Sequence, residues 1–223
     1  MTRQFSQGRC ATQVHDATSQ SAMPEALLAL RSGHLVAFPT DTVYGLGCDA
    51  WNAEALERLY WATRRPKGMA IPVLVSAPEH VNQVAKTWPS GFDALVERFW
   101  PGGLTVIVPR SPAIPEVLCA GKPSVAVRMP AHPLALRLIA GMGGVLAATS
   151  ANLSGNPSPK TASEVLADLE GRVAIVLDGG ECPGGIASSI VDLVAEPPVL
   201  VRQGGLDLNR LRDLLPSLVV PDG

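Results

Sequence analysis

Apolar residues along the chain follow two alternating patterns, one with helical spacing and one with the short runs of buried strands. The helical spacing predicts helices over 24–33, 52–66, 77–88, 90–100, 132–141, 161–171 and 207–215. Short runs rich in Val, Leu, Ile and Ala predict strands over 34–39, 70–76, 104–109, 124–130, 144–150, 173–180, 188–193 and 198–205. Because helices and strands interleave throughout, the pattern predicts an α/β fold.

The domain organisation follows from where this alternation begins and ends. Residues 23–216 carry it without a linker or a repeat, so we expect a single domain there. Residues 1–22 are polar and lack the apolar segment of a signal peptide, so we expect a flexible tail, with a second tail over 217–223. No apolar run approaches the roughly 20 residues that span a bilayer, and we expect a cytoplasmic protein.

Composition narrows the possible functions. Hydrophobic residues make up 47% of the 223 and charged residues 17%, which is enough for a sizeable core. The net charge of -2 does not favour a broad nucleic-acid-binding face, although a local basic pocket stays open. The four cysteines and four histidines are scattered without metal-ligand spacing, which favours reduced thiols over a zinc site or disulfides.

Small polar residues and arginines cluster where predicted strands and helices end. The clusters are Thr40-Asp41-Thr42, the stretch 63–67 (TRRPK), Ser124 with Arg128, the stretch 149–158 (TSANLSGNPS), and Ser188-Ser189 followed by Arg202. Ligands of open α/β sheets bind beyond the strand ends, and hydroxyls, amides and guanidiniums suit phosphate and carboxylate oxygens. No nucleophilic triad, P-loop or strand-linked GxGxxG is present, so any nucleotide site lies outside the commonest motifs.

Six stretches together resemble the YrdC-like family in sequence and order. They are FPTDTVYGLG, RRPKG followed by IPVLV, FWPGGLTVIVP, VAVRMPAHP, TSANLSGNPSP, and SSIVDL followed by LVRQGG. The resemblance covers residues 24–215 and implies a twisted open mixed sheet with helices packed on it and a large, positively charged concave cavity. The glycines of YGLG are then expected to let the backbone turn tightly beside that cavity.

The resemblance also implies an activity. Members of the family make threonylcarbamoyl-adenylate and pyrophosphate from L-threonine, bicarbonate and ATP, which is nucleotidyl transfer. A separate protein complex then passes the threonylcarbamoyl group to an adenosine of tRNA. We expect Mg2+ to arrive with ATP because no carboxylate cluster suggests a dedicated cage, and at most a weak contact with RNA.

Residue by residue, the resemblance implies a threonine site, an ATP site and a catalytic set. The threonine site comprises Thr40, Thr42, Arg128 and Ser188. The ATP site comprises Arg65, Ser124, Ser150, Asn152, Ser158 and Arg202. The catalytic set comprises Arg65, Lys67, Ser150 and Asn152. Without the resemblance, the threonines are as well explained as turn residues and Asn152 as a cap.

One position departs from the family pattern. A lysine normally stands where this chain has Thr63, two residues before the motif arginine at Arg65. Either Lys67 or Arg64 is then expected to supply the missing charge. The departure leaves open a second interpretation, a YrdC-like paralogue that binds nucleotide or RNA without making the adenylate. A third is a related carbamoyl-adenylate chemistry, which elsewhere depends on further domains.

Overall fold

Ten strands between residues 11 and 221, the part of the chain that the computed structural model describes, form one mixed sheet. The strands are β1 (Gln13–Asp16), β2 (Val36–Phe38), β3 (Gly45–Cys48), β4 (Val73–Val75), β5 (Leu104–Pro109), β6 (Ser124–Arg128), β7 (Val145–Ser150), β8 (Ile175–Asp178), β9 (Ser189–Asp192) and β10 (Val199–Arg202). The α helices are α1 (Ala22–Arg31), α2 (Ala53–Thr63), α3 (Phe92–Phe99), α4 (Pro133–Gly141), α5 (Ala162–Leu169) and α6 (Leu208–Leu214). None of these helices is long and apolar enough to cross a membrane.

The order of strands across the sheet is β1-β8-β2-β3-β7-β4-β6-β5-β9-β10. Four strand pairs are parallel (β1 with β8, β8 with β2, β4 with β6, β5 with β9) and the others are antiparallel, so the expected mixed sheet is confirmed. At its centre, β3 runs antiparallel to both β2 and β7. Residues 39–44 therefore form a short connection between two adjacent antiparallel strands, β2 and β3, in the middle of the sheet.

Two opposed helical layers cover the sheet unequally. Leu56, Leu95, Val165 and Leu211, from α2, α3, α5 and α6, belong to a large core on one face. On the other face, α1 and α4 form a smaller core that includes Leu30 and Leu138. Alternate residues of β5, β6 and β9, namely Thr105, Ile107, Ser124, Ala126, Arg128 and Ile190, belong to neither core. Half of the second face is therefore left uncovered, and this is where a ligand has room.

The predicted helix over 77–88 is wrong in type and length. A 3₁₀ helix spans Pro78–Gln83 and the chain then leaves helical geometry. The reason is competition for backbone hydrogen bonds, because Lys86 N donates to Pro109 O and Ser111 N donates to Val84 O. These bonds pair the segment with the chain that follows β5, and they are unavailable to a continuing helix.

Both predicted tails contain ordered pairing within the described residues. Gln13–Asp16 pairs with β8 as the edge strand β1, and α1 already begins at Ala22. Near the other end, Leu200 N donates to Val219 O and Val219 N to Pro198 O. The flexible-tail prediction is therefore wrong for these residues, whereas residues 1–10 and 222–223 lie outside the described part. A polar edge strand buries almost no side chain, so it leaves no apolar pattern in the sequence.

The YGLG glycines were expected in a turn, and this expectation is wrong for Gly45–Cys48. That segment is the central strand β3, and neither of its glycines has a positive φ. A Cβ on Gly47 would lie 2.7 Å from Leu146 Cδ2 and 2.9 Å from Phe38 Cε1. The glycine is thus required for close packing in a strand, which is a known use of glycine in sheets.

We expect Gly204→Ala to destabilise the protein, because Gly204 packs against the backbone beside β9. The added Cβ would lie 2.2 Å from Ala187 O and 2.4 Å from Ser189 N, and backbone atoms cannot rotate away. Overpacking of this kind costs about 1–3 kcal/mol, which urea denaturation would detect as a lower midpoint.

The matched control is Gly68→Ala, where nothing lies within 4 Å of the added Cβ. We expect its free energy of unfolding to stay within about 0.5 kcal/mol of that of the parent protein, or to rise slightly. Equal midpoints for the two variants would contradict the packing argument.

Candidate functional site

A cleft of about 750 Å³, part of it open to solvent, occupies the uncovered half of the sheet. Its walls include all four residues predicted for threonine, Thr40, Thr42, Arg128 and Ser188. They also include four of those predicted for ATP, Arg65, Ser150, Ser158 and Arg202. Side chains from five separate parts of the sequence are therefore brought to one cavity.

Thr40 and Thr42 lie in the connection between β2 and β3 and are both buried. The Thr40 hydroxyl donates to Val43 O at 2.7 Å, because a carbonyl can only accept. Thr42 Oγ1 lies 3.0 Å from Thr40 Oγ1 and is then the donor of that pair. The sequence left two interpretations of these threonines, turn residues or cleft residues, and the structure shows both, since they close a turn and also line the cleft.

Arg128, at the end of β6, is 7% exposed and has three hydrogen-bonded neighbours. Its Nε donates to Gly102 O at 2.9 Å, Nη1 to Thr42 Oγ1 at 2.9 Å and Nη2 to Asp41 Oδ1 at 2.6 Å. Asp41 Oδ1 also accepts from Ala131 N at 3.0 Å. Burial lowers the pKa of the Arg128 guanidinium and the Asp41 carboxylate opposes this shift. Three of the five N–H groups are occupied, which leaves two for a ligand.

Asp41 was noted in the sequence but given no role. The structure shows it as the carboxylate that pairs with Arg128. The only signal in the sequence was its position between two predicted site threonines.

Ser188 and Arg202 line the same cleft next to Thr105, which sequence reasoning also missed. Thr105 Oγ1 lies 2.7 Å from Ser188 Oγ, and both residues are buried. Arg202 donates to Ser188 O from Nε at 3.0 Å and from Nη2 at 2.8 Å. Burial lowers the pKa of Arg202, and the positive charges of Arg128 and Arg65 lower it further. The three guanidiniums are therefore close enough to repel one another.

Arg65 follows the end of α2, where Arg64 adopts a left-handed conformation with φ 52° and leaves its own side chain exposed. Arg65 donates to Met69 O at 3.0 Å, to Ala70 O at 2.8 Å and to Thr149 Oγ1 at 3.3 Å. Its guanidinium thus closes the loop before β4 and reaches β7. Burial lowers the pKa of this group as well.

The charge balance of the cleft is strongly positive. Among residues 11–221, Arg128 makes an ion pair, with Asp41, while Arg65 and Arg202 make none. Both of these arginines donate only to neutral carbonyl and hydroxyl oxygens. Arg65 is half-buried and Arg202 is exposed, and guanidiniums in a cleft without a carboxylate partner favour an anionic ligand.

Asn152 is buried in the loop after β7 and does not line the cleft. Its Nδ2 donates to Asn156 O at 2.8 Å and to Leu153 O at 2.9 Å, while its buried Oδ1 has no partner among residues 11–221. Asp168 of α5 accepts from Leu153 N at 2.9 Å and from Asn156 Nδ2 at 2.8 Å. The amide and this carboxylate therefore shape the loop between Ser150 and Ser158, and contact of Asn152 with nucleotide stays a prediction.

Lys67, expected to bear on the phosphates, is not brought to the cleft. Its exposed ammonium pairs with Glu57 and lies 4.8 Å from the centre of the Tyr60 ring. Thr63 cannot supply charge either, because it is 2% exposed and its hydroxyl donates to Leu59 O at 2.8 Å. Among the described residues, the positive side chains that line the cleft are therefore its arginines, and no lysine there replaces the one missing at position 63.

Ser124 lies at the start of β6, on the same side of the strand as Arg128 but four residues away. At the rise of a strand this separates them by about 13 Å, so Ser124 stands on the uncovered face beyond the cleft. Its role in binding ATP stays a prediction.

The residues of the cleft do not form a metal cage. Within residues 11–221 no group of three His, Cys, Asp or Glu side chains is placed to hold a metal ion. Asp41, which does not line the cleft but bonds to Arg128, is already paired with that arginine. The cysteines of this part of the chain, Cys48, Cys119 and Cys182, are buried free thiols. Cys10 lies outside the described residues.

Comparison with known proteins gives the family. Residues 28–204 match the Sua5/YciO/YrdC family, which is described as telomere recombination. The chain is 43% identical to the threonylcarbamoyl-AMP synthase of Pyrococcus abyssi over 83% of this chain and 55% of that protein. It is 40% identical to the Bacillus subtilis threonylcarbamoyl-AMP synthase over 92% of this chain and 60% of that protein.

A solved structure agrees with the sequence matches. P. abyssi Sua5 complexed with L-threonine is similar with a TM-score of 0.88 and 38% identity, over 95% of this chain and 62% of that one. The chain therefore belongs to the Sua5/YciO/YrdC family, which confirms the resemblance seen in its motifs. It spans between half and two thirds of the length of these three relatives.

The raised pKa of Tyr44, whose side chain connects the start of β3 to the loop after β8, can be tested by the pH dependence of stability. Its hydroxyl donates to Gly180 O at 2.8 Å, and burial raises the pKa of Tyr44 from 10.0 to about 12. Between these values the unfolded chain loses the tyrosine proton and the folded chain keeps it, so this group destabilises the fold progressively as the pH rises through this window. We expect the urea midpoint of Tyr44→Phe to fall less steeply between pH 10 and pH 12.

The same comparison at pH 8 is the control, since the variant then lacks only the bond donated to Gly180 O and the one accepted from Gly179 N, each worth about 1 kcal/mol. A variant whose midpoint falls as steeply as that of the parent protein above pH 10 would argue against the raised pKa.

Proposed function

We propose that the chain catalyses formation of L-threonylcarbamoyladenylate and pyrophosphate from L-threonine, bicarbonate and ATP. One observation carries the proposal: three arginines and a group of buried hydroxyls converge on a single cleft whose cations are mostly unpaired. Such a cleft suits two anionic substrates bound side by side. The Pyrococcus and Bacillus relatives named as threonylcarbamoyl-AMP synthases support the assignment.

The proposed threonine subsite is centred on Arg128. The two N–H groups that remain on its terminal nitrogens match the two oxygens of a carboxylate. Thr42 and Ser188 stand beside it with hydroxyls suited to the polar groups of a small amino acid. The P. abyssi relative binds L-threonine in a fold that overlays closely on this chain, which supports the subsite.

The proposed polyphosphate subsite uses Arg65 and Arg202, which make no ion pair within the described chain. Ser150 and Ser158 line the same cleft and would orient phosphate oxygens or the ribose. In nucleotidyl transfer the protein mainly positions the reactants and stabilises the negative charge that spreads over the phosphate. Two cleft guanidiniums without a carboxylate partner are suited to that task.

The reaction balances without a protein nucleophile. The threonine amine and bicarbonate form a carbamate with loss of water, and a carbamate oxygen then attacks the α-phosphorus of ATP. The bond to the β-phosphate oxygen breaks and pyrophosphate leaves with the electron pair. Burial of the reacting groups in the cleft would shield the resulting mixed anhydride from water.

Magnesium enters this proposal only as a companion of ATP. The described residues that line the cleft do not fit a protein-bound Mg2+, because none of them is a carboxylate and the neighbouring Asp41 is occupied by Arg128 and Ala131. No step of the mechanism is assigned to the ion. Mg2+ characteristically binds through substrate phosphates with few protein ligands, which supports its arrival with the nucleotide.

We also propose that a separate complex in the cytoplasm takes the product and transfers its threonylcarbamoyl group to tRNA. The adenylate is a labile activated acyl group, so an acceptor-binding partner has to follow. The net charge of -2 supports at most a weak direct contact with RNA.

A second candidate function is nucleotide or RNA binding without synthesis of the adenylate. It is favoured by Thr63, which is buried within α2 where the family has a lysine. Loss of a charged donor from a polyphosphate site usually lowers catalysis by a few kcal/mol. Pyrophosphate release from ATP and bicarbonate, with and without L-threonine, separates the candidates, because only the synthase gives threonine-dependent release.

Arg128→Ala should raise the KM for threonine by tenfold to a hundredfold and leave the KM for ATP nearly unchanged. The reason is the loss of the charge-assisted bonds that hold the carboxylate, which are worth about 1.5–3 kcal/mol. Steady-state pyrophosphate release at varied threonine and at varied ATP gives both constants. Equal increases in the two KM values would remove Arg128 from the threonine subsite.

Arg65→Ala and Lys67→Ala should differ sharply in the same assay. Arg65 lines the cleft, so its loss should lower ATP-dependent pyrophosphate release by about a hundredfold or more. Lys67 is exposed and paired with Glu57, so its loss should change the rate less than about threefold. A large effect of Lys67→Ala would show that this side chain leaves Glu57 and reaches the phosphates.

A further inference from the structure

Asp41 has no assigned function so far, although its carboxylate is bonded to a residue of the threonine subsite. Asp41 itself does not line the cleft, whereas Arg128 does. The side chain of Asp41 is 16% exposed and the side chain of Arg128 is 9% exposed. Oδ1 alone accepts both from Arg128 Nη2 at 2.6 Å and from Ala131 N at 3.0 Å. The carboxylate is therefore held in one position by two donors, directly beside the guanidinium of the threonine subsite.

The pairing divides the charge of the cleft into two unlike parts. Arg128 is neutralised by Asp41, whereas Arg65 and Arg202 carry no ion pair among residues 11–221. The two parts are contiguous, because Arg202 donates to Ser188 and Ser188 belongs to the threonine subsite. A polyphosphate carries several negative charges and would otherwise gain most from contacting all three guanidiniums at once.

We propose that Asp41 sorts the two substrates between the subsites, keeping the polyphosphate off Arg128 so that a zwitterionic amino acid can occupy it. The inference rests on the proposed function, whose two substrates it assigns to opposite ends of the cleft. A zwitterionic amino acid carries no net charge, so its binding does not depend on a net positive charge at the Arg128–Asp41 pair. Its ammonium group is also attracted by the Asp41 carboxylate. A polyanion at the same place meets the repulsion of Asp41.

The Asp41→Asn variant changes charge with little change in shape. Both hydrogen bonds fall on Oδ1, and the carbonyl oxygen of asparagine can accept both of them. The connection between β2 and β3 should therefore keep its geometry. Asp41→Glu retains the charge, and Asp49→Asn makes the same charge change at a residue that neither lines the cleft nor bonds to Arg128.

The experiment is calorimetric titration with inorganic pyrophosphate and with L-threonine, each measured in the absence and presence of the other. In the parent protein, in Asp41→Glu and in Asp49→Asn we expect the two ligands to bind independently. In Asp41→Asn we expect pyrophosphate to bind about tenfold more tightly and the apparent Kd for threonine to rise in proportion to the pyrophosphate concentration. Independent binding of both ligands to a folded Asp41→Asn protein would overturn the proposal.

Arg202→Gln tests the same idea with Asp41 intact. If Asp41 sorts the substrates, pyrophosphate binds this variant more weakly and still does not compete with threonine. If Asp41 does not sort them, pyrophosphate shifts toward Arg128 and becomes competitive, which would also overturn the proposal. A parent protein that binds neither ligand would instead contradict the proposed function, so the two failures are distinct.

Discussion

A buried guanidinium at the end of β6 is the constraint on which the cleft depends. Arg128 needs partners within the fold, because an unpaired charge in the interior is strongly destabilising. Its partners come from the β2–β3 connection and from Gly102, and its carboxylate partner Asp41 also accepts from Ala131 before α4. One side chain thus ties together segments that are up to 87 residues apart in sequence. Their relative positions define the wall to which we assign the threonine.

The uneven cover of the sheet provides the space for that wall. Four helices fill one face, while α1 and α4 cover only part of the other. Strands β5, β6 and β9 consequently turn small, polar or half-exposed residues toward the open side. Their other faces carry the buried valines Val106, Val127 and Val191. An enclosed polar surface with unpaired arginines is expensive for folding alone and is explained by ligands that complete it.

Local pattern was a good guide to elements with an apolar face and a poor guide to those without one. The strand Leu104–Pro109 was predicted with its observed bounds, because its apolar run is uninterrupted. The polar edge strand Gln13–Asp16 and the glycine-containing Gly45–Cys48 were missed, since backbone pairing and close packing leave no such signature. The 3₁₀ segment Pro78–Gln83 was taken for an α helix, because pairing with the chain after β5 ends it.

The sequence by itself determined the α/β class, the family and most of the predicted residues that line the cleft, because the motifs at the strand ends follow one another along the chain in the order typical of the family. Only the tertiary structure decided which charges meet. It paired Arg128 with Asp41, left Arg65 and Arg202 without a carboxylate, and turned Lys67 toward Glu57 instead of the cleft. Electrostatic partners are chosen by distance in space. Residues 41 and 128 come together because the β2–β3 connection reaches past the ends of β7 and β4 to the end of β6.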